Sequence, residues 1–419
     1  MNLKPKIIVV GGGFAGIQFV QKLDEDIFDI LLIDKINHHQ FQPLFYQVAT
    51  SQIEPSSISF PLRNIFKNKK NLQIRLADVL SIDSGNNKII TDIGNFEYDY
   101  LIIAVGCKTN FFGNNNLLKN CLTLKSTYES ITIRNHILQI FEDVISATEE
   151  EKEGLLNLVI VGAGPTGVEL SGAFAEIKKN ILPKDYRGID FSKFNIFLIE
   201  GSKDTLNNMS NESKAASKNY LEQLGVIIYT ETFVKDYDGI TLTLGNGDTL
   251  ITKTVIWAAG VIGNKIEGFS SNQIALSNRL NVNRINMVEE SKNIFALGDI
   301  AFMVTPKYPK GHPQVANVAI NQATLLAKNL KLLSQNKSTT DFEYKDLGTM
   351  ATIGRNKAVV DLPFVHFKGH FAWLVWMFLH LMLILSVKNK LIIFIHWAWA
   401  YFTKDSSLRL ILLPKKSQE

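Results

Sequence analysis

After a short polar lead the chain enters Ile8-Val9-Val10-Gly11-Gly12-Gly13-Phe14-Ala15-Gly16. A brief apolar run ending in glycines reads as a buried strand, and the residues beyond as a helix. Gly11, Gly13 and Gly16 stand at the spacing of a dinucleotide fingerprint. The first glycine makes the tight turn, the second lets backbone N–H groups approach a pyrophosphate, and the third lets helix and strand pack closely. The phosphates then rest at the positive end of the helix, with Phe14 and Ala15 beside them. An acid is expected at the end of the next strand, to hold a ribose hydroxyl. Asp34, followed by Lys35, closes Ile30-Leu31-Leu32-Ile33, 18 residues after Gly16. Strand, glycines, helix, strand and acid in that order set this part of the chain as a βαβ unit.

The motif returns 151 residues later, in Leu158-Val159-Ile160-Val161-Gly162-Ala163-Gly164-Pro165-Thr166-Gly167-Val168-Glu169. The strand after it, Asn195–Ile199, ends in Glu200. Residues 178–194 lengthen the helix and add a loop with Pro183 and Gly188, which sets that acid farther from its glycines. The chain therefore holds two dinucleotide sites. A carboxylate at a ribose 2′-hydroxyl repels a 2′-phosphate, so Glu200 favours NADH over NADPH, with Lys203 nearby acting against that preference. Two further strands end in small residues, at Ala104 to Gly106 and at Ala258 to Gly260, where backbone can approach a bound dinucleotide. A third, Asn293–Leu297, delivers Gly298 and Asp299 at its carboxyl end, the edge where ligands bind in open α/β sheets. A helix is predicted from about Val315 to Leu330.

The 419 residues, 46% apolar and 20% charged, suffice for two or three domains with large cores. Cys107 and Cys121 form no CxxC and no metal-ligand spacing, so neither a disulfide scaffold nor a metal centre is expected. The N-terminal residues lack a signal-peptide pattern, which predicts a cytoplasmic protein. From Phe364 onward seven basic residues face two acids, while the rest of the chain carries −1. Charge so localised argues against a nucleic-acid binder. Phe371 to Val387 is an apolar run of 17 residues interrupted by His380; Lys388-Asn389-Lys390 follows, then a shorter run from Leu391 to Phe402. Runs this short, rich in Trp and Phe and followed by Lys and Arg, fit an interfacial anchor better than spanning helices. A pair of helices buried in a dimer interface fits the same residues.

The fold class read from this pattern is α/β, with two Rossmann-like dinucleotide-binding domains, the second nested in the first, and a C-terminal helical membrane-anchoring region. The expected boundaries are 1–120 and 265–340 for the first dinucleotide-binding domain, 121–264 for the second, and 341–419 for the membrane-association region.

In these features the chain resembles the two-dinucleotide-binding-domain flavoprotein reductases, and within them the type II (non-proton-pumping) NADH:quinone oxidoreductases. Besides the glycine motifs, the resemblance rests on Phe41-Gln42-Pro43-Leu44-Phe45-Tyr46-Gln47-Val48-Ala49-Thr50, on Ala296-Leu297-Gly298-Asp299, on Met350 to Val360, and on the tail from Gly369 to Leu410. It implies non-covalent FAD on the first motif and NADH on the second. By that likeness Gly11, Gly13, Phe14, Ala15, Gly16, Asp34, Lys35, Thr50, Val79, Ala104, Gly106, Gly298, Asp299, Ala316 and Asn317 bind FAD, and Gly162, Gly164, Gly167, Glu200, Ala259 and Gly260 bind NADH. Tyr46, Asn317 and Gln322 are implied near the quinone, although Asn317 and Asn321 replace family glutamines. The resemblance further implies a membrane quinone as acceptor, a lipid-surface attachment at the cytoplasmic face of the inner membrane, and a homodimer.

Two residues stand out as catalytic candidates. Glu169, in the first turn of the second motif helix, either complements the helix dipole or helps place NADH and route protons; its counterpart in the first motif is the neutral Gln18. Lys357 is either a solvated surface lysine or a group near the flavin and quinone. Tyr46 is either a packed aromatic or part of the quinone route. His38 and His39 read as loop histidines. A disulfide reductase or NADH oxidase of the same group needs a cysteine between His38 and Ser59, and none is present. A sulfide-linked reductase needs several reactive cysteines. A redox-sensing flavoprotein with little turnover is the remaining alternative.

Overall fold

The computed structural model describes residues 4–405 and 408–412. The tail charges Lys415, Lys416 and Glu419 lie outside the described residues. Two compact units account for them: one holds the chain up to Gln40, Phe60–Lys108 and Val261–Asp346, the other Phe41–Ser59, Thr109–Gly260 and the chain from Leu347.

The first unit is built on a five-stranded parallel sheet in the order Ile294–Ala296, Tyr100–Ile103, Lys6–Val10, Asp29–Asp34, Leu72–Leu76. Its central strands are Ile, Val and Leu runs because both faces are covered; Ile7, Ile8 and Val9 are fully buried. On one face the helices Phe14–Lys22 and Ala316–Ser334 pack through Ala15, Phe19, Ala319, Ala323 and Leu326. The second helix starts where the sequence predicted and runs four residues further. On the other face Ile8, Val10, Leu31 and Ile103 meet Ile89 of the antiparallel ribbon Val79–Asp83, Lys88–Thr91, Gly94–Glu97.

The second unit repeats the plan. Its parallel sheet runs Leu122–Thr123, Thr254–Trp257, Asn157–Val161, Asn195–Ile199, Val226–Tyr229. Matching hydrogen bonds close both glycine turns. Gly11 N donates to Ile33 O at 2.8 Å and Gly162 N to Ile199 O at 2.7 Å, while Ala104 N and Ala258 N donate to Val10 O and Val161 O at 2.8 Å each. The repeat in sequence is thus a repeat in register. A three-stranded antiparallel sheet, Thr349–Thr352, Ala358–Asp361 and His366–Lys368, completes this unit ahead of the tail.

The tail forms two helices, His370–Leu383 and Val387–Thr403. The break falls at Ile384 to Ser386, inside the apolar run Phe371 to Val387 and ahead of Lys388-Asn389-Lys390. Ile384 is buried and extended, which stops the first helix. Lysines in the first turn of a helix oppose its dipole. Here Lys390 Nζ donates at 2.9 Å to Met382 O, a terminal carbonyl of the preceding helix. That contact gives the lysine a favourable partner at a position where its own helix offers none.

Candidate functional site

The first glycine motif folds as its spacing requires. Gly11 has φ +107°, and a Cβ on Gly16 would lie 1.8 Å from Gly11 O. Gly13 differs: its φ of −76° suits any residue, and a Cβ there would meet no protein atom. The room beside Gly13 is a cradle that a side chain would fill, and the helix starting at Phe14 has no side-chain cap on its first N–H groups. Open donors at a helix N-terminus are what a pyrophosphate needs. Asp34 Oδ2 accepts from Gly12 N at 2.5 Å and Oδ1 from Ile36 N at 2.8 Å. Burial nevertheless raises this carboxyl above its ordinary value. His39 donates from Nδ1 to Gly12 O at 3.1 Å, and burial pushes it down to about 4, so it is a neutral brace for the turn.

Elsewhere in the first unit, Asp299 Oδ2 accepts from Cys107 Sγ at 3.0 Å and its carbonyl from Gln314 Nε2 at 3.1 Å. Fully buried Gln322 accepts from Gly298 N at 2.8 Å, while its amide nitrogen has no hydrogen-bond partner. Such a buried donor calls for a partner outside the protein atoms. The helix carrying Ala316 and Asn317 also begins without a side-chain cap. Asn321 is exposed. These residues fit FAD: two uncapped helix ends, a glycine cradle, a ribose acid and an orphaned amide.

The second motif is its counterpart. Gly162 has φ +100°, a Cβ on Gly167 would lie 1.8 Å from Gly162 O, and one on Gly164 would meet nothing. Glu200 Oε2 accepts from Ala163 N at 2.6 Å, and Oε1 from Ser202 N and Oγ at 2.8 Å each. Gly260, with φ +73°, lies beside Phe112, where a Cβ would come within 2.9 Å of the ring.

Glu169 is the fifth residue of the helix Pro165–Asn180, one position past its first turn, which contains no acid. It is therefore not an N-terminal dipole partner. Nothing in the residue pattern around it indicates what surrounds it. Farther along this helix Gly172 admits the Ile353–Gly354 backbone; a Cβ would lie 2.6 Å from Gly354 N. The close approach brings Thr352 N to 3.3 Å from Glu169 Oε1. Thr352 Oγ1 shares a hydrogen bond with Tyr46 OH at 3.1 Å, Gln47 Nε2 donates to Tyr46 OH at 2.9 Å, and Trp397 Nε1 donates to Gln47 Oε1 at 2.7 Å. Tyr46 packs edge-on to Trp376, which stacks on His380 with ring centroids 3.9 Å apart. Burial pushes the Glu169 carboxyl up to about 8; the Thr352 N–H and the Trp376 indole offset only part of this. Burial and the neighbouring Glu169 charge also raise Tyr46, leaving it a neutral hydroxyl.

These groups line a cavity of about 110 Å³ whose walls include Tyr46, Gln47, Glu169, Thr352, Trp376 and Trp397. Trp373, Trp376 and Met377 face it from one tail helix, and Trp397, Ala400, Tyr401 and Lys404 from the other. That i, i+3, i+4, i+7 spacing was the available signal for the tail residues. Lys357 lies elsewhere: Nζ donates to Gln223 Oε1 at 2.7 Å and sits over the Tyr220 ring. Thr50 is buried and donates to Tyr46 O at 2.7 Å. Val79 begins the antiparallel ribbon of the first unit, and Lys35 follows Asp34 at an exposed position. Cys121 is pushed up to about 12 by burial and does not suit thiol chemistry. Among the described residues no group of three His, Cys, Asp or Glu side chains is arranged to hold a metal.

The pyridine nucleotide-disulphide oxidoreductase family model matches residues 5–323, and the NDH2 C-terminal domain model matches residues 347–406. The type II NADH:quinone oxidoreductase Ndh of Mycobacterium tuberculosis is 30% identical over 95% of this chain and 88% of its own length. NdhA of the same organism is 30% identical over 94% and 87%. The solved structure of NDH2 from Plasmodium falciparum in complex with NADH superposes with a TM-score of 0.90, at 23% identity over 98% of this chain and all of that one, which is a likeness of fold. The sulfide:quinone oxidoreductase of Aquifex aeolicus superposes less well, at 0.72 and 20% identity. On the family model and the two mycobacterial relatives together, the chain belongs to the type II NADH:quinone oxidoreductase family, on the pyridine nucleotide-disulphide oxidoreductase fold.

Proposed function

We propose that this protein oxidises NADH and passes two electrons through FAD to a membrane quinone, without pumping protons, and that the quinone is reduced at the Glu169 cavity. FAD would be held by Gly11 to Gly16, Asp34 and the Gly298-Asp299 turn, and NADH by Gly162 to Gly167 with Glu200 and Gly260. Bound FAD supplies the chemistry of accepting a hydride and releasing electrons. The chain's own residues hold, orient and protonate. Uncapped N–H groups in the first turns of the helices that start at Phe14 and Pro165 would bind phosphate. Thr352 N fixes the Glu169 carboxyl, and Gln47 fixes the Tyr46 hydroxyl. A carboxyl pushed up to about 8 is protonated at neutral pH and can give a proton to a quinone oxygen.

The observation that carries this reading is the buried Glu169 carboxyl in a cavity walled by tryptophans of the tail helices. The same helices turn Phe371, Phe378, Leu391, Phe394, Trp399 and Phe402 outward, each at least half exposed. An apolar surface of that extent marks a docking face. Helices of 14 and 17 residues are about 21 and 26 Å long; among the described residues no helix is long and apolar enough to cross a membrane. The tail helices would therefore lie on the bilayer, with the exposed Lys368 and Lys388 toward anionic headgroups. Attachment at the cytoplasmic face of the inner membrane and a homodimer complete the proposal. The absence of a cysteine between His38 and Ser59, and the inert Cys121, weigh against thiol-dependent and sulfide-linked alternatives.

NADH oxidation by the purified protein with menaquinone- and ubiquinone-type acceptors, alongside a flavin spectrum, tests this. Quinone-dependent turnover is expected. Flavin that NADH reduces and no quinone reoxidises would favour a sensing role.

A further inference from the structure

Resting on the quinone-reductase reading, the reaction needs a proton from water. NADH supplies two electrons and one proton as hydride; quinone takes two electrons and two protons to become hydroquinone. One proton per turnover must therefore travel from solvent to the buried acceptor site, and Glu169, once it has donated, must be reloaded.

The helix Pro165–Asn180 turns Glu169, Ala173, Glu176 and Asn180 toward the same cavity. Their spacing of four, three and four residues is one helical face. Glu169 is buried, whereas Glu176 is partly open to solvent. Seven residues separate the carboxyls by about 10 Å along the axis, too far for direct transfer. On that face the helix residue between them is Ala173, whose side chain is a single methyl. A cavity of about 110 Å³ has room for several waters. Tyr46 OH, Thr352 Oγ1, Gln52 and Asn180 line it and offer those waters polar partners. Toward the tail Glu169 is closed off by Trp376 and Trp397, which are 2% and 7% exposed.

The charged and titratable groups on the walls leave Glu176 available. The Arg355 guanidinium is turned to Ala400 O at 2.7 Å and Tyr401 O at 3.2 Å, and only its backbone N faces Glu176 Oε1, at 3.4 Å. Asp405, beside Lys404 at the far wall, is paired with Arg409 at 2.8 Å. Burial holds Tyr46 as a neutral phenol. Asn180 Nδ2 donates to Glu176 Oε2 at 2.8 Å, which orients the carboxylate without neutralising it.

We propose that Glu176 is the proton-entry residue, taking a proton from solvent and passing it through water in the cavity to Glu169. It acts through Glu169 and touches neither cofactor nor quinone.

Stopped-flow half-reactions on the full-length holoenzyme test the relay, with a short-chain water-soluble quinone as oxidant. Glu176→Gln should leave flavin reduction by NADH unchanged. It should slow reoxidation by quinone about tenfold, raise the solvent deuterium isotope effect, and be restored by Glu176→Asp or by a small weak acid such as imidazolium. Ala173→Leu, which fills the space between two intact carboxyls, should slow the same half-reaction and covers the case of a Gln variant that does not fold. Unchanged reoxidation in both variants, or slowing that is equal at every pH and rescued by neither Asp nor weak acid, overturns the relay. A wild-type enzyme that quinone cannot reoxidise would instead overturn the function on which it rests.

Discussion

The indole N–H of Trp397 donates to Gln47 Oε1 at 2.7 Å, although the two residues are 350 positions apart. The bond ties the last helix to the short helix Phe45–Ala49 and, through Tyr46 and Thr352, to Glu169. The tail is thus a wall of the Glu169 cavity as well as the surface proposed to meet the bilayer. Trp397→Phe leaves a buried carbonyl without its donor, at a cost of about 1–3 kcal/mol. The expected result is a several-fold higher KM for quinone with an unchanged rate of flavin reduction by NADH. Equal effects on both half-reactions would contradict it.

Because the tail helps to build the site, point changes test membrane attachment better than removal of Phe371 onward. Phe402→Ser deletes an apolar contact worth about 1.5 kcal/mol and should weaken binding to neutral and anionic vesicles alike, about tenfold. Lys388→Gln should weaken binding to anionic vesicles alone, by about 1 kcal/mol or roughly fivefold. Vesicle sedimentation distinguishes the two, and no change for either variant would remove the tail from the bilayer.

Glu169→Gln should lower quinone-dependent turnover by about 100-fold while FAD stays bound, the scale of a lost general acid. The raised carboxyl also has a signature in stability. Its value is about 8 in the fold against an ordinary 4.5, so the folded state holds a proton that the unfolded state has released. This contribution is complete below pH 4.5 and is lost as pH rises toward 8, a change on the order of a few kcal/mol. Urea unfolding of wild type should weaken across that window, and the Gln variant should show a shallower slope. Parallel slopes would contradict the burial of a titrating Glu169.

The two kinds of glycine in the first motif should separate experimentally. Gly13→Ala meets no protein atom and should fold normally while losing FAD, since its methyl enters the phosphate cradle. Gly16→Ala drives a methyl to 1.8 Å from Gly11 O and should destabilise the fold itself. Flavin-to-protein ratio and thermal unfolding of both variants give the answer; full flavin content in Gly13→Ala would contradict the cradle.

Glu200→Ala should raise NADPH use relative to NADH by about tenfold or more. It removes the carboxylate now held by Ala163 N and Ser202 and leaves Lys203 beside the ribose position. The ratio of kcat/KM for the two nucleotides measures this, and an unmoved ratio would release Glu200 from that role.

The two strand–glycine–helix turns were legible because each is local: a strand, a turn and a helix N-terminus within about 20 residues carry the geometry. Gly11 and Gly162 need positive φ, Gly16 and Gly167 need a missing Cβ, and such needs are written into residue type. The Glu169 cavity was not legible, since its members come from four separated stretches joined by single hydrogen bonds. Gly172 could have hinted at it, but a glycine inside a helix does not say what approaches. The tail was legible as an apolar, basic pair of segments. The position of the break between its helices was not legible, since Lys390 serves the end of the preceding helix, a contact that charge patterning cannot reveal.

The central claim is that electrons from NADH leave this protein on a quinone reduced beside Glu169. Anaerobic stopped-flow on the wild-type holoenzyme tests it most directly: one equivalent of NADH, then a short-chain quinone, with flavin absorbance followed throughout. Rapid bleaching by NADH and rapid recovery with quinone are predicted, the recovery alone slowed in Glu169→Gln. Flavin that stays reduced in the presence of quinone, or recovery indifferent to Glu169, would contradict the account.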